Sequence, residues 1–147
     1  SYLHQNNIVH LDIKPENIML MPLAGKSIQK TLEFRVIFID FSFSKMNVSD
    51  NAYLKLYAGS VQYADPDTLC GIPYLAKAAD IWTFGVTIHR TLTLNNLFDV
   101  STDNLFYDKI CKKHAIDYNF LELKLYVPLL KTILVYDSHK RVNINTI

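Results

Sequence analysis

Four polar residues of different chemical types stand close together in residues 8–20, which read IVHLDIKPENIML. They are His10, Asp12, Lys14 and Asn17. A carboxylate such as Asp12 can accept a proton, an ammonium group can neutralise an anion, and an amide oxygen can bind a hard metal ion. A helix end is predicted before this stretch and a strand after it. The alternative interpretation is a polar surface loop without chemistry.

Three later stretches carry further polar residues beside predicted elements. Asp40 follows the second predicted strand and opens the sequence DFS, residues 40–42. Residues 59–67 read GSVQYADPD, and Asp80 opens DIWTFG on a predicted buried helix. Taken singly, an acidic residue at a strand end is common, and Trp82 is typical of a core aromatic. The order of the stretches along the chain makes them informative together.

These stretches resemble, in family order, the motifs of the catalytic domain of eukaryotic-type protein kinases. Residues 8–20 resemble the catalytic loop H-R-D-L-x-x-x-N, and residues 40–42 resemble D-F-G. Residues 59–67 resemble G-T-x-x-Y-x-A-P-E, and residues 80–85 resemble D-x-W-S-x-G. A lysine two positions after the catalytic aspartate is typical of Ser/Thr kinases. Residues 71–74 and 97–99 look most like the calcium/calmodulin- and AMP-activated-kinase group.

The resemblance implies roles in phosphoryl transfer from ATP for four residues. Asp12 would be the catalytic base, and Lys14 would steady the transferred phosphate. Asn17 and Asp40 would bind Mg²⁺, so Lys14, Asn17 and Asp40 together would form the ATP and metal site. The predicted cofactors are therefore ATP and Mg²⁺.

The resemblance also implies residues that support the site. Asp80 would accept backbone N–H bonds from the catalytic loop, and His10 would pack under Phe41 and bond to backbone. Ser60, in place of the family threonine, would lie near the base. Arg141 would pair with Asp67, which stands at the glutamate position of A-P-E.

Three departures from the family pattern qualify these expectations. Leu11 replaces the arginine that usually binds a phosphorylated activation segment, so phosphate switching at Ser44 or Ser49 is not favoured. Ser42 replaces the glycine of D-F-G, which predicts a less mobile metal-binding loop. Asp67 is one methylene shorter than glutamate, which predicts a looser pair with Arg141.

The predicted fold class is mostly α: the C-terminal lobe of the protein-kinase fold with a small β-hairpin. Residues 1–147 would form that lobe alone, with the N-terminal lobe absent, since a Gly-rich loop and its lysine would stand upstream. The fragment by itself would then have negligible activity. The predicted elements are strands at 18–21 and 34–39, separated by an insertion with Gly25, and helices at 78–94, 105–113 and 129–136.

The composition excludes several classes of protein. A formal net charge of +1 gives no strong attraction to nucleic acid or membrane, and no apolar run is long enough to span a bilayer. Cys70 and Cys111 lack CxxC spacing, which predicts neither a disulfide framework nor a zinc site and favours a reducing compartment. We therefore expect an intracellular, cytoplasmic or nuclear, protein Ser/Thr kinase that acts on Ser/Thr hydroxyls of protein substrates. The alternative is a pseudokinase or docking scaffold without transfer activity.

Overall fold

A computed structural model describes residues 2–23, 33–98 and 103–146. Five α-helices, four short strands and three short 3-10 helices occur in these ranges, and turns and loops connect them. In chain order the elements are α1 (Tyr2–Gln5), β1 (Ile18–Pro22), β2 (Phe34–Phe38), β3 (Tyr53–Leu54), α2 (Pro66–Leu69), β4 (Tyr74–Leu75), α3 (Ala76–Thr93), α4 (Asp103–Cys111) and α5 (Val127–Ile133).

The strands form two separate antiparallel pairs. Strand β1 pairs with β2, with Ile18 opposite Phe38. Strand β3 pairs with β4, with Tyr53 opposite Leu75. The predicted strands and the three predicted helices all exist, with bounds that differ from expectation by three residues or fewer. The expected insertion with Gly25 lies outside the described residues.

The expected fold class, a mostly α C-terminal lobe with one small hairpin, is wrong. The described part of the chain has two small antiparallel sheets, and its helices other than α3 have 4 to 9 residues. The second sheet escaped prediction because β3 and β4 have two residues each, too few for an alternating pattern to show. Within the described residues, no helix combines the length and the apolar character needed to cross a lipid bilayer.

Helix α3 is the centre of the larger hydrophobic core. Trp82 on this helix is 1% exposed, and its ring lies 5.4 Å from the ring of Tyr136. The other buried residues of this core come from the segment before α2, from α2, α3, α4 and α5, and from the loops between these helices: Tyr63, Ala64, Leu69, Ile81, Val86, Leu97, Phe98, Phe106, Ile110, Leu123, Leu130, Ile133 and Leu134. Burial of this apolar surface holds α3 in place, and α3 in turn supports the polar stretch around Asp12.

A second, smaller core lies under residues 8–20. It joins Val9 and Leu11 to Val48, Ala58, Tyr74 on β4, and Ala76 and Ala79 in the first turn of α3. This core fastens the polar stretch at Asp12 to the first turn of α3.

A disulfide joins Cys70 and Cys111, whose Cα atoms are 6.0 Å apart. The expectation that the two cysteines form no disulfide is therefore wrong. Their separation of 41 residues gave no signal, because only the packing of α2 against α4 brings the two helix ends together.

We predict that Gly85→Ala destabilises the protein by about 1–3 kcal/mol, because a Cβ there would collide with Ile133 and lie 2.8 Å from Leu134 Cδ2. Thr91→Ala, on the exposed side of the same helix, is the control and should change stability by less than about 0.7 kcal/mol. Urea unfolding of both variants measures the difference. Equal unfolding midpoints for the parent and Gly85→Ala would contradict close packing of α3 on α5.

Candidate active site

The Asp80 carboxylate holds the backbone that leads to Asp12. Its Oδ2 accepts the N–H of His10 at 2.9 Å, and its Oδ1 accepts the N–H of Leu11 at 2.7 Å. His4 Nε2 also lies 2.9 Å from Oδ2. Asp80 is 1% exposed, so these donors replace the water that its carboxylate loses on burial. These are the contacts that the resemblance implies for Asp80.

His10 connects the Asp12 stretch to the end of strand β2. Its Nδ1 accepts the backbone N–H of Asp12 at 3.3 Å, so the ring proton is on Nε2. Nε2 then donates to the carbonyl oxygen of Ile39 at 3.1 Å. The ring of Phe41 lies 4.9 Å from the imidazole ring. Through these contacts His10 sets the position of the chain on both sides of Asp40.

The Asp12 carboxylate is 2% exposed and receives three donors. Oδ1 accepts the backbone N–H of Ser60 at 2.8 Å, and Oδ2 accepts Asn17 Nδ2 at 3.0 Å. Lys14 Nζ lies 2.9 Å from Oδ2. Burial raises the pKa of Asp12, but the bonds from Lys14 and Ser60 outweigh it and hold the pKa below its ordinary value. Asp12 is therefore ionised at neutral pH, as a proton acceptor must be.

Lys14 bridges the two segments that meet at Asp12. Besides its ion pair with Asp12, its ammonium group donates to Ser60 Oγ at 2.7 Å. The lysine is partly exposed and lines a cavity of about 520 Å³ together with Glu16, Asn17 and residues 60–63. The Lys14 ammonium group and the Ser60 hydroxyl therefore belong to residues that line an open cavity, and both residues contact the buried Asp12 carboxylate.

Asn17 and Asp40 are the residues suited to a metal ion. Asn17 uses Nδ2 for bonds to the carbonyl oxygen and carboxylate of Asp12, so Oδ1 is the atom that would bind a cation. Ile39, which directly precedes Asp40, donates its N–H to the Asn17 carbonyl oxygen at 3.0 Å. Hydrogen bonds from Ser42 hold the pKa of the exposed Asp40 carboxyl below its ordinary value. An ionised carboxylate and an amide oxygen on neighbouring segments fit a hard, oxygen-seeking ion such as Mg²⁺.

A left-handed backbone occurs at Asp40 and not at Ser42. Asp40 has φ +59°, whereas Ser42 is not among the residues with positive φ. Serine at this position therefore costs none of the strain that glycine would relieve in a left-handed conformation. The expected effect of Ser42 on loop mobility stays a prediction.

Leu11 is part of the smaller core. Its side chain is 4% exposed, packed with Val9, Val48 and Ala58. Leu11 has φ +66°, an unfavourable angle for a residue with a Cβ, which is held by its bond to Asp80 and by burial. Gly59 lies against it so closely that a Cβ would collide with the Leu11 carbonyl oxygen. Leucine here contributes apolar packing where an arginine would contribute a cation.

The sequence comparisons agree with this geometry. The family model described as Protein kinase domain matches residues 1–147. The chain belongs to the protein kinase domain family. The match covers the chain as one kinase domain and does not assign it to a C-terminal lobe, as the expected fold class did.

Three curated kinases are similar to this kinase domain. Protein kinase kin1 of Schizosaccharomyces pombe is 31% identical over 147 residues, which is 100% of this chain and 15% of that protein. Testis-specific serine/threonine-protein kinase 2 of Mus musculus is 32% identical over 121 residues, 80% of this chain and 31% of that protein. Testis-specific serine/threonine-protein kinase 1 of Homo sapiens is 32% identical over 121 residues, 80% of this chain and 30% of that protein. The chain thus spans less than a third of each relative.

The expected ion pair between Asp67 and Arg141 is wrong. Arg141 Nη1 lies 2.6 Å from Asp65 Oδ2, with side chains 0% and 1% exposed. The guanidinium also donates to the carbonyl oxygens of Ala78 and Val135 and lies 5.2 Å from the Trp82 ring centre. Asp67 instead accepts Ser138 Oγ at 3.3 Å.

Asp65 is the functional residue that sequence reasoning missed in this kinase domain. It is the N-cap of α2, and its carboxylate accepts the N–H of Asp67 at 2.9 Å. An aspartate directly before Pro66 is a typical helix start, and this signal could have singled out Asp65. Family alignment drew attention to Asp67 instead, because that residue stands at the acidic position of A-P-E.

We predict that Asp65→Asn destabilises the kinase domain by about 3–5 kcal/mol, because it leaves the buried Arg141 charge without its partner. Asp67→Asn is the matched control. Burial and the Asp65 charge raise the pKa of Asp67, so folding makes its ionised form less favourable than it is in the unfolded chain. Asparagine can still accept the Ser138 bond, so this variant should change stability by less than about 1 kcal/mol. Urea unfolding at pH 7 separates the two, and a larger loss at Asp67 would restore the original pairing.

Proposed function

We propose that this chain is the catalytic part of a protein serine/threonine kinase that transfers the γ-phosphoryl group of ATP to Ser or Thr hydroxyls. The observation that carries the proposal is the buried, ionised Asp12 carboxylate, which pairs with Lys14 and accepts the N–H of Ser60, two residues that line an open cavity. Kinship with the kinases of Schizosaccharomyces pombe, mouse and human supports the same activity.

Asp12 would act as the base in this reaction. A substrate hydroxyl in the cavity would donate its proton toward the Asp12 carboxylate while its oxygen attacks the γ-phosphorus and the bond to the leaving ADP oxygen breaks. Hydrogen bonds from Ser60 and Asn17 hold the carboxylate in one orientation, so little reorganisation accompanies proton transfer.

The negative charge of the phosphates would be neutralised by Lys14 and by the metal ion that Asn17 and Asp40 would hold. The Lys14 ammonium group lies between the Asp12 carboxylate and Ser60 Oγ, where it can neutralise charge on the transferred group. Asn17 Oδ1 and Asp40 would hold Mg²⁺, which when bound would neutralise negative charge of the phosphates. Ser60 then forms the wall of the cavity beside the substrate hydroxyl.

The site favours hydroxyl groups on proteins as acceptors, in an intracellular setting where ATP is available. The cavity beside Asp12 is lined by Glu16 and by residues 60–63, and its openness to the surface suits an extended chain segment. The finer assignment to the calcium/calmodulin- or AMP-activated-kinase group stays a prediction.

We predict that Asp12→Asn lowers turnover by about 10²–10⁴-fold, because the amide cannot take the hydroxyl proton. ATP affinity should change little, because Asp12 faces the acceptor rather than the nucleotide. The measurement is transfer of radiolabelled phosphate from ATP to a Ser- and Thr-containing protein by the complete gene product. Asp108→Asn, an exposed change on α4, is the control and should match the parent.

If Asp12→Asn turns over as fast as the parent, Asp12 is not the base. If the parent transfers no phosphate with Mg²⁺ or Mn²⁺, the pseudokinase or scaffold alternative replaces the kinase proposal.

We predict that Asp40→Asn weakens binding of Mg²⁺-ATP as well as turnover, because a neutral amide is a poorer ligand for Mg²⁺ than a carboxylate. Raising the Mg²⁺ concentration should recover part of the lost activity in Asp40→Asn and none in Asp12→Asn. A titration of transfer rate against Mg²⁺ for both variants makes the comparison. Identical Mg²⁺ dependence of Asp40→Asn and the parent would remove Asp40 from the metal site.

A further inference from the structure

The disulfide between Cys70 and Cys111 joins the ends of α2 and α4, two helices that are far apart in sequence. Cys70 is the residue at which α2 ends, and Cys111 is the last residue of α4. Their Cα atoms are 6.0 Å apart, within the usual range for a disulfide, although 41 residues separate them in sequence. The packing of α2 against α4 therefore places the two sulfur atoms within bonding reach.

Both cysteines are exposed residues, which places the disulfide at the surface of the domain. Lys109, Lys112 and Lys113 surround Cys111 in sequence, and Lys113 is close enough to Asp67 to act on its charge. Positive charges near a cysteine favour the thiolate, the form that attacks a disulfide. Exposure and basic surroundings distinguish this pair from a buried structural disulfide.

The joined elements flank the segment that forms the candidate active site. Helix α2 directly follows residues 60–65, in which Ser60 bonds to Asp12 and Asp65 bonds to Arg141. A covalent bond at Cys70 restrains the C-terminal end of α2, whereas the pair of Asp65 with Arg141 restrains its N-terminal end. Loss of the bond leaves α2 held to α4 by packing alone.

We propose that Cys70 and Cys111 are a reversible modification site, at which thiol–disulfide exchange with a small-molecule disulfide such as glutathione disulfide closes and opens the link between α2 and α4. One cysteine thiolate attacks the small disulfide, forms a mixed disulfide and releases one thiol. The second cysteine thiolate then attacks the protein sulfur of that mixed disulfide and releases the second thiol. Two electrons pass from the two cysteines to the small disulfide, and two thiols leave. An excess of reduced thiol reverses both steps.

The first test measures the bond itself in the complete gene product. The protein is equilibrated in buffers of reduced and oxidised glutathione, its free thiols are alkylated with N-ethylmaleimide, and its peptides are analysed by mass spectrometry. Cys70 and Cys111 should be alkylated together in reducing buffer, and oxidising buffer should give one cross-linked peptide pair that lacks two hydrogens. Persistent thiols, stable mixed disulfides with glutathione, or a link that reduced glutathione cannot open would each overturn the proposal.

The second test measures what the bond restrains. Reduction should lower the melting temperature of the parent by roughly 5–15 °C, since a link across 41 residues restricts the unfolded chain. Cys70→Ser and Cys111→Ser should melt with the reduced parent and show no response to reductant. If a variant fails to fold, the oxidised and reduced forms of the parent can still be compared, because both have the native sequence. An equal response to reductant in the parent and both variants would contradict a restraining role.

The predicted effect of opening the disulfide on phosphoryl transfer rests on the proposed kinase function. Opening the link should raise KM for a protein substrate by about fivefold or more, because residues 60–63, which line the proposed substrate cavity, lie just before α2. The double variant Cys70→Ser/Cys111→Ser should keep the same KM in both redox buffers. An unchanged KM in the parent would show that the bond restrains α2 without reaching the site. If no phosphate is transferred in either buffer, the kinase proposal fails while the alkylation test still decides on the modification site.

Discussion

The buried carboxylate of Asp80 is the interaction on which the candidate site depends. Its two oxygens accept the N–H groups of His10 and Leu11, and this fixes a backbone that Leu11 alone would not adopt, with φ +66°. An unpaired charge at this depth would be costly, so the donors and the carboxylate hold each other in place. Asp12 is the next residue after Leu11, so the Asp80 contact also sets the position of the Asp12 backbone.

A buried ion pair has a similar role near the same end of α3, because Arg141 also donates to the carbonyl oxygen of Ala78. Asp65 and Arg141 join the start of α2 to the C-terminal part of the chain, and Arg141 also covers Trp82. Ser60 precedes Asp65 by five residues, and its N–H and hydroxyl contact Asp12 and Lys14. The reactive groups thus lie on segments held by the hydrogen-bonded Asp80 carboxylate and by the Asp65–Arg141 ion pair, both of which contact α3. These contacts and the apolar core together keep the segments in place.

The spacing of His10, Asp12, Lys14 and Asn17 predicted a meeting of base, ammonium group and amide, because these residues are close in sequence and share one loop. The roles of Asp12 as base and of Asp40 as metal ligand remain proposals that the geometry supports. The Arg141 pairing was assigned wrongly because Asp65 and Asp67 lie two residues apart and have the same charge. The two residues differ in the tertiary contacts of their carboxylates: Asp65 contacts Arg141, and Asp67 contacts Ser138.

The sequence by itself determined the family, the main helix, the strands β1 and β2, and the local set of polar residues at Asp12. These features depend on residue types at short range, where periodicity and spacing are direct consequences of backbone geometry. The tertiary structure decided the second sheet, the partner of Arg141 and the bond between Cys70 and Cys111. Each of these joins segments 20 or more residues apart. Such contacts follow from how the helices pack, and no local pattern in the chain encodes that packing.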